Sequence, residues 1–145
     1  MKLEDLYELW DQDTNIDDDH LDRESINTAK LHSKYLRFLL DSKLKLAAYT
    51  SEYNNLRQVK FRYYRGELDR DELSHYGWSQ WQGIKPLKNE MSEFLNGDQD
   101  LNKINMKIEY IKILVEALES ILHQIKSRDW QIRNAITFKQ FIAGN

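Results

Sequence analysis

Leu101, Ile104, Ile108, Ile111, Val115, Leu118, Leu122 and Ile125 recur at alternating steps of three and four residues without a break. That spacing keeps one apolar edge aligned only on an α-helix packed lengthwise against another helix. Asp98 stands where such a helix needs an N-cap. Met106, Ile113, Leu114 and Ile121 lie off the seam, so a second face is apolar too. A helix with two such faces needs more than one neighbour. A long helix of the same chain can cover one face, and a neighbouring subunit the other.

The partner helix is expected from about Thr28 to about Arg65, a span without Gly or Pro. Tyr35, Leu39, Ser42, Leu46, Tyr49, Tyr53, Leu56, Lys60 and Tyr63 follow a 3-4 alternation, interrupted in character by Ser42 and Lys60. Such a stripe predicts a narrow packing seam rather than a wide buried face. Gly66 is a natural stop. Ahead of this helix, Leu3, Leu6, Tyr7 and Trp10 mark a short amphipathic one. Residues 67–97 read as an irregular connection, with Trp78, Trp81, Ile84 and Leu87 as a small core of its own. Pro86 opens and Gly97 closes a short helix there. The tail, with Trp130, Ile132, Ile136, Phe138 and Phe141, reads as a further helix, and Ala143-Gly144-Asn145 as its stop. The expected fold is all-α: a long-helix antiparallel hairpin or bundle with short accessory helices. It forms one domain over 1–145, with an acidic N-terminal segment (1–24), a long basic helix (25–66), a connecting segment (67–97), and a C-terminal heptad helix and tail (98–145).

Several function classes drop out. The chain has no cysteine, hence no disulfide framework or thiolate metal site. The N-terminus has neither a basic start nor an apolar run, so it does not read as a signal peptide. No apolar run approaches the roughly 20 residues of a membrane span. His20, His32, His75 and His123 form no helical pair that could hold a metal. No nucleophile elbow or phosphate loop is present. Asp11, Asp13, Asn15, Asp17, Asp19 and Asp22 do fall at the oxygen-ligand positions of a calcium loop. However, Ile16 stands where the turn needs glycine, and Asp22 where a bidentate Glu is usual. A solvated acidic linker is the simpler reading. The chain reads as a non-enzyme without metal or cofactor.

Charge is segregated. Residues 1–24 carry ten acids and two bases, while residues 25–70 carry ten bases and four acids, within a chain of net charge -3. Inside the basic part, Leu56–Gly66 ("LRQVKFRYYRG") packs Arg57, Lys60, Arg62 and Arg65 among Phe61, Tyr63 and Tyr64, with no carboxylate between them. Cations along a phosphate line and rings beneath unstacked bases are what single-stranded nucleic acid calls for. The competing reading has the rings in the helix seam and the cations on a solvated face. Lys30, Lys34 and Arg37 form a second basic stripe at i, i+4 and i+7.

Four blocks resemble the UvsY-type recombination mediators of T4-like phages, and particularly the versions carried by cyanobacterial phages. They are "LEDL" at Leu3–Leu6, "LHSKYL" at Leu31–Leu36, "FRYYRG" at Phe61–Gly66 and "IKSRDWQIRNAITFKQFIAG" at Ile125–Gly144. Their order and spacing cover almost the whole chain. The resemblance implies a non-catalytic protein that binds single-stranded DNA and assembles as a ring-like homo-oligomer, a hexamer or heptamer. It implies loading of a phage RecA-like recombinase onto DNA covered by the phage single-strand-binding protein, in the cytoplasm of the infected bacterial host. The family's Lys-x-Arg pair falls on Lys60 and Arg62 in one register, and on Gln58 and Lys60 in a register anchored on the tyrosines. Lys60 is therefore the first DNA-binding candidate and Arg62 the second. Arg57, Arg65, Tyr63, Tyr64, Lys30, Lys34 and Arg37 assist. For oligomerisation the matching apolar positions are Leu118, Leu122, Ile125, Trp130, Ile132, Ile136 and Phe141. The alternative is an all-helical oligomeric adaptor or scaffold that binds no DNA, which uses the same seam and leaves the basic stripe solvated.

Overall fold

The computed structural model describes residues 1–144, and every regular element among them is a helix. These are α1 (Leu3–Asp13), α2 (Leu21–Tyr64), α3 (Arg70–Tyr76), α4 (Met91–Asn96) and α5 (Gln99–Ile142). The two long helices begin and end where local chemistry dictates. Asp98 accepts the Leu101 N–H at 3.0 Å, capping α5 as its position in the sequence suggested. Gly66, at φ 72°, closes α2: its N–H reaches Tyr63 O, and Glu67 N–H reaches Arg62 O. This paired closure requires a left-handed residue, which glycine supplies without a Cβ clash. Gly77 closes α3 the same way.

The chain divides into two compact units. The first holds residues 1–44 and 112–145. In it the early part of α2 and the late part of α5 run antiparallel, with Glu24 against Arg128 and Lys43 3.7 Å from Glu119. Leu114, Leu118, Ile121, Leu122, Ile125 and Ile132 are buried from α5, and Tyr35 and Leu39 from α2. Leu6 of α1 is fully buried, and Trp10 meets Tyr35 edge-on at 5.3 Å. The acidic linker after α1 is tied locally: Asp17 bonds His20 at 2.7 Å, which raises the His20 pKa and lowers that of Asp17. Asp11 and Asp13 belong to α1 rather than to a loop.

The second unit spans residues 45–111. Here α2 and α5 are again antiparallel, with Tyr64 against Asp98 and Lys107 over the Tyr49 ring. Tyr64, Met91, Leu95 and Leu101 form the core, joined by Tyr53, Leu56, Phe61, Trp81 and Phe94.

Four expectations shift. α2 starts at Leu21, not near Thr28, and the tail is no separate helix, since α5 runs unbroken to Ile142. The span 99–142 contains no Gly or Pro to stop it. The short helix expected from Pro86 starts only at Met91. Ile84 and Leu87 are exposed, and the two tryptophans pack on Tyr63 and Tyr64 instead of on them. Asn145, the last residue of the expected stop, lies outside the described residues.

Candidate nucleic-acid interface

In the second unit the helix periodicity turns the basic and aromatic stretch in two directions. Lys60 sits on the same edge as Leu56 and Tyr53, and it is buried. Its Nζ lies 3.1 Å from Asp98 Oδ2 and 2.8 Å from Asp100 Oδ2, and 3.9 Å from the centroid of Trp78. The Tyr64 hydroxyl donates to the same Asp98 oxygen at 2.6 Å. Burial alone would push the Asp98 carboxyl up. The hydrogen bonds from Tyr64, the Leu101 N–H and Lys60 outweigh it and hold the group below the usual carboxylate range. Burial, then the bond to Asp98, pushes the Tyr64 phenol well above its ordinary value. Lys60 and Tyr64 thus have their partners inside the chain. Tyr63 is half-buried, donates its hydroxyl to Ser79 O at 2.8 Å, and packs on Trp78.

The other cations point outward. Arg62 pairs with Glu72 at 2.8 Å, which raises its pKa further. Arg65 pairs with Glu67 at 2.9 Å and lies over the Phe61 ring. Arg57 is exposed and has no hydrogen-bond or ion-pair partner among the described residues.

In the first unit, Lys34 is bound to Asp13 at 2.7 Å, and Tyr35 donates to the same carboxylate at 2.8 Å. Lys30 and Arg37 are exposed and have no such partner among the described residues. Of the apolar positions matched to oligomerisation, Leu118, Leu122, Ile125 and Ile132 are buried within the single chain. Trp130, Ile136 and Phe141 are exposed, beside Phe138 and Ile142.

Two further groups matter that the sequence reading left unconnected. Asp98 and Asp100 form the counter-charge to Lys60. A lysine inside an apolar seam was the available signal, because a buried cation demands a carboxylate across the hairpin. Arg128 is the other. It is 3% exposed, donates to the carbonyls of Thr14 and Asn15 at 3.3 and 3.4 Å, and pairs with Glu24. Among the described residues no cluster of His, Asp and Glu could hold a metal, and no helix is long and apolar enough to cross a membrane.

The arrangement has recognisable relatives. A family model described as "Recombination, repair and ssDNA binding protein UvsY" matches residues 9–145. The recombination protein uvsY of Enterobacteria phage T4 is 30% identical over 144 residues, with 99% of both chains covered. A crystal structure of the bacteriophage T4 recombination mediator protein UvsY superposes with a TM-score of 0.84 at 29% identity, covering 99% of this chain and 98% of that one. The same T4 protein in another lattice gives a TM-score of 0.84 at 28% identity, with 97% and 99% covered. A family model spanning nearly the whole chain, a full-length relative and a shared helical fold establish that the chain belongs to the UvsY family of recombination, repair and single-stranded-DNA-binding proteins.

Proposed function

We propose that the chain is a recombination mediator that grips single-stranded DNA as a homo-oligomer and loads a phage RecA-like recombinase onto strands covered by the phage single-strand-binding protein. It does so without catalysis of its own, in the cytoplasm of the infected host. The observation that carries this reading is the end-to-end match in sequence and fold to the T4 recombination mediator. The outward cations Arg57, Arg62 and Arg65, with Lys30 and Arg37, support it as candidate phosphate contacts. Lys60 serves the same grip indirectly, by fixing the segment that bears them. At net charge -3 a single subunit has no strong overall field for DNA. A hexamer or heptamer solves this by repeating the same few cations in every subunit, so that a strand engages several copies at high effective concentration. The exposed Trp130, Ile136 and Phe141 offer apolar surface for that assembly.

Fluorescence anisotropy of labelled oligo-dT and of a matching duplex, over a salt series, tests the reading. The expected result is preference for the single strand, with affinity falling by a log–log slope of about 0.7 per phosphate neutralised. Absence of saturable binding at low salt would overturn it and favour the adaptor reading.

A further inference from the structure

The rings that the sequence offers most openly for stacking are already engaged. Tyr64 is buried, Tyr63 is half-buried with its hydroxyl bonded, and Phe61 is half-buried beneath Arg65. An open ring beside this stretch is Tyr76, the last residue of α3, at 39% exposed. It is held in place rather than loose. Its ring stacks on Trp78 at 4.4 Å and 14°, and His75 abuts it edge-on at 4.9 Å. Trp78 in turn receives the Lys60 ammonium. Upstream, α3 is fixed by the Asp69 cap and by the bond from Arg62 to Glu72, one turn before Tyr76.

Tyr76 walls an open groove of about 450 Å³ within the second unit, lined also by Ala48, Ser51, Asn55, Val59 and Ile104. Small side chains at 48 and 51 leave the space, while Val59 and Ile104 give apolar surface. The Asn55 side chain has no hydrogen-bond partner among the described residues, so its amide is available to a ligand edge. Cations stand toward both ends: Arg62 is one turn beyond Val59 on α2, and Lys107 lies over Tyr49, one turn before Glu52. Glu52 itself lines the groove. A carboxylate there repels phosphate, so a base can enter while its flanking phosphates stay at the cationic ends.

We propose that this groove takes one unstacked nucleobase of a single strand, with Tyr76 as the stacking surface and the Asn55 amide on the base edge. The inference rests on the single-strand-binding reading and adds where a base sits. A preformed aromatic wall is suited to every base, since each has a π-face, so the site is tolerant of sequence.

The test uses the full-length protein with oligo-dT and with a strand carrying 5-iodo-deoxyuridine. Tyr76→Ala should weaken oligo-dT binding by about ten-fold and leave the salt slope unchanged, because no phosphate contact is lost. Tyr76→Phe should bind like the wild type. Ultraviolet cross-linking of the wild type should label Tyr76. Wild-type binding that is unaffected by Tyr76→Ala, or cross-links that fall only elsewhere, would overturn the site while leaving the mediator reading intact. Protection of the Tyr76 ring in the DNA-free oligomer would assign the groove to a second copy and overturn it too. Failure of the wild type to bind any single strand would remove the mediator reading, and this site with it.

Discussion

Lys60 and Asp98 form a buried ion pair, 3.1 Å from Nζ to Oδ2, with side chains only 6% and 3% exposed. Removing one partner of such a pair strands the other and costs about 3–5 kcal/mol. Lys60→Met should therefore lower stability by roughly 3 kcal/mol, read as a lower urea midpoint. The double variant Lys60→Met/Asp98→Leu should recover part of the loss, because neither charge is then left alone.

The same carboxylate sets an acid limit. Its folded pKa is lowered, so its contribution is complete above the ordinary carboxylate value of about 4 and is lost as the pH falls through the depressed folded value. Urea midpoints measured from pH 6 downward should drop in the wild type. Asp98→Asn should be less stable at neutral pH and show a flatter acid limb.

Arg128 binds the end of α1 by a planar fork spread over two carbonyls and Glu24. Arg128→Lys should not rescue this geometry, because an ammonium cannot span the same acceptors. Both Arg128→Ala and Arg128→Lys should lose hydrogen-exchange protection in residues 3–15, and Arg128→Ala should cost about 3 kcal/mol.

Arg57 is exposed and has no partner among the described residues. Arg57→Ala should leave the urea midpoint within about 0.5 kcal/mol of wild type yet reduce the salt slope of oligo-dT binding by about 0.7 per subunit engaged. Lys60→Met should show the reverse split, with stability lost and the salt slope retained. Anisotropy and denaturation on the same preparations separate the two.

Phe141 is 76% exposed and Trp130 is 67% exposed, both on α5. Phe141→Asp should lower the oligomeric state in sedimentation velocity without altering helicity. Leu118→Asp, at a fully buried position, should unfold the first unit instead.

The α5 seam was legible because Leu101, Ile104, Ile108, Ile111, Val115, Leu118, Leu122 and Ile125 obey one period, and all eight are buried, joined by the off-seam Leu114 and Ile121. The α2 stripe was equally legible. Ser42 and Lys60, its two polar positions, are buried along the same edge as their apolar neighbours. What a helix period cannot convey is which distant residue faces a given position. The density of charge around Lys60 suggested an outward grip, and only the antiparallel pairing reveals Asp98 and Asp100 opposite it. The tail was misjudged for a related reason: a change of residue character at Ser127 to Trp130 does not stop a helix that meets no Gly or Pro.

Asp98 holds three donors at once: the Leu101 amide, the Tyr64 hydroxyl and the Lys60 ammonium. Long helices ordinarily fray from their ends, one turn at a time. Here the first turn of α5 cannot open without also freeing the last turn of α2 from the same carboxylate, whose Oδ1 holds the one and Oδ2 the other. The start of one helix and the finish of the other therefore open as a single event. Amides near Leu101 and near Tyr64 should exchange with solvent at a common rate, although the two stretches are far apart in the chain.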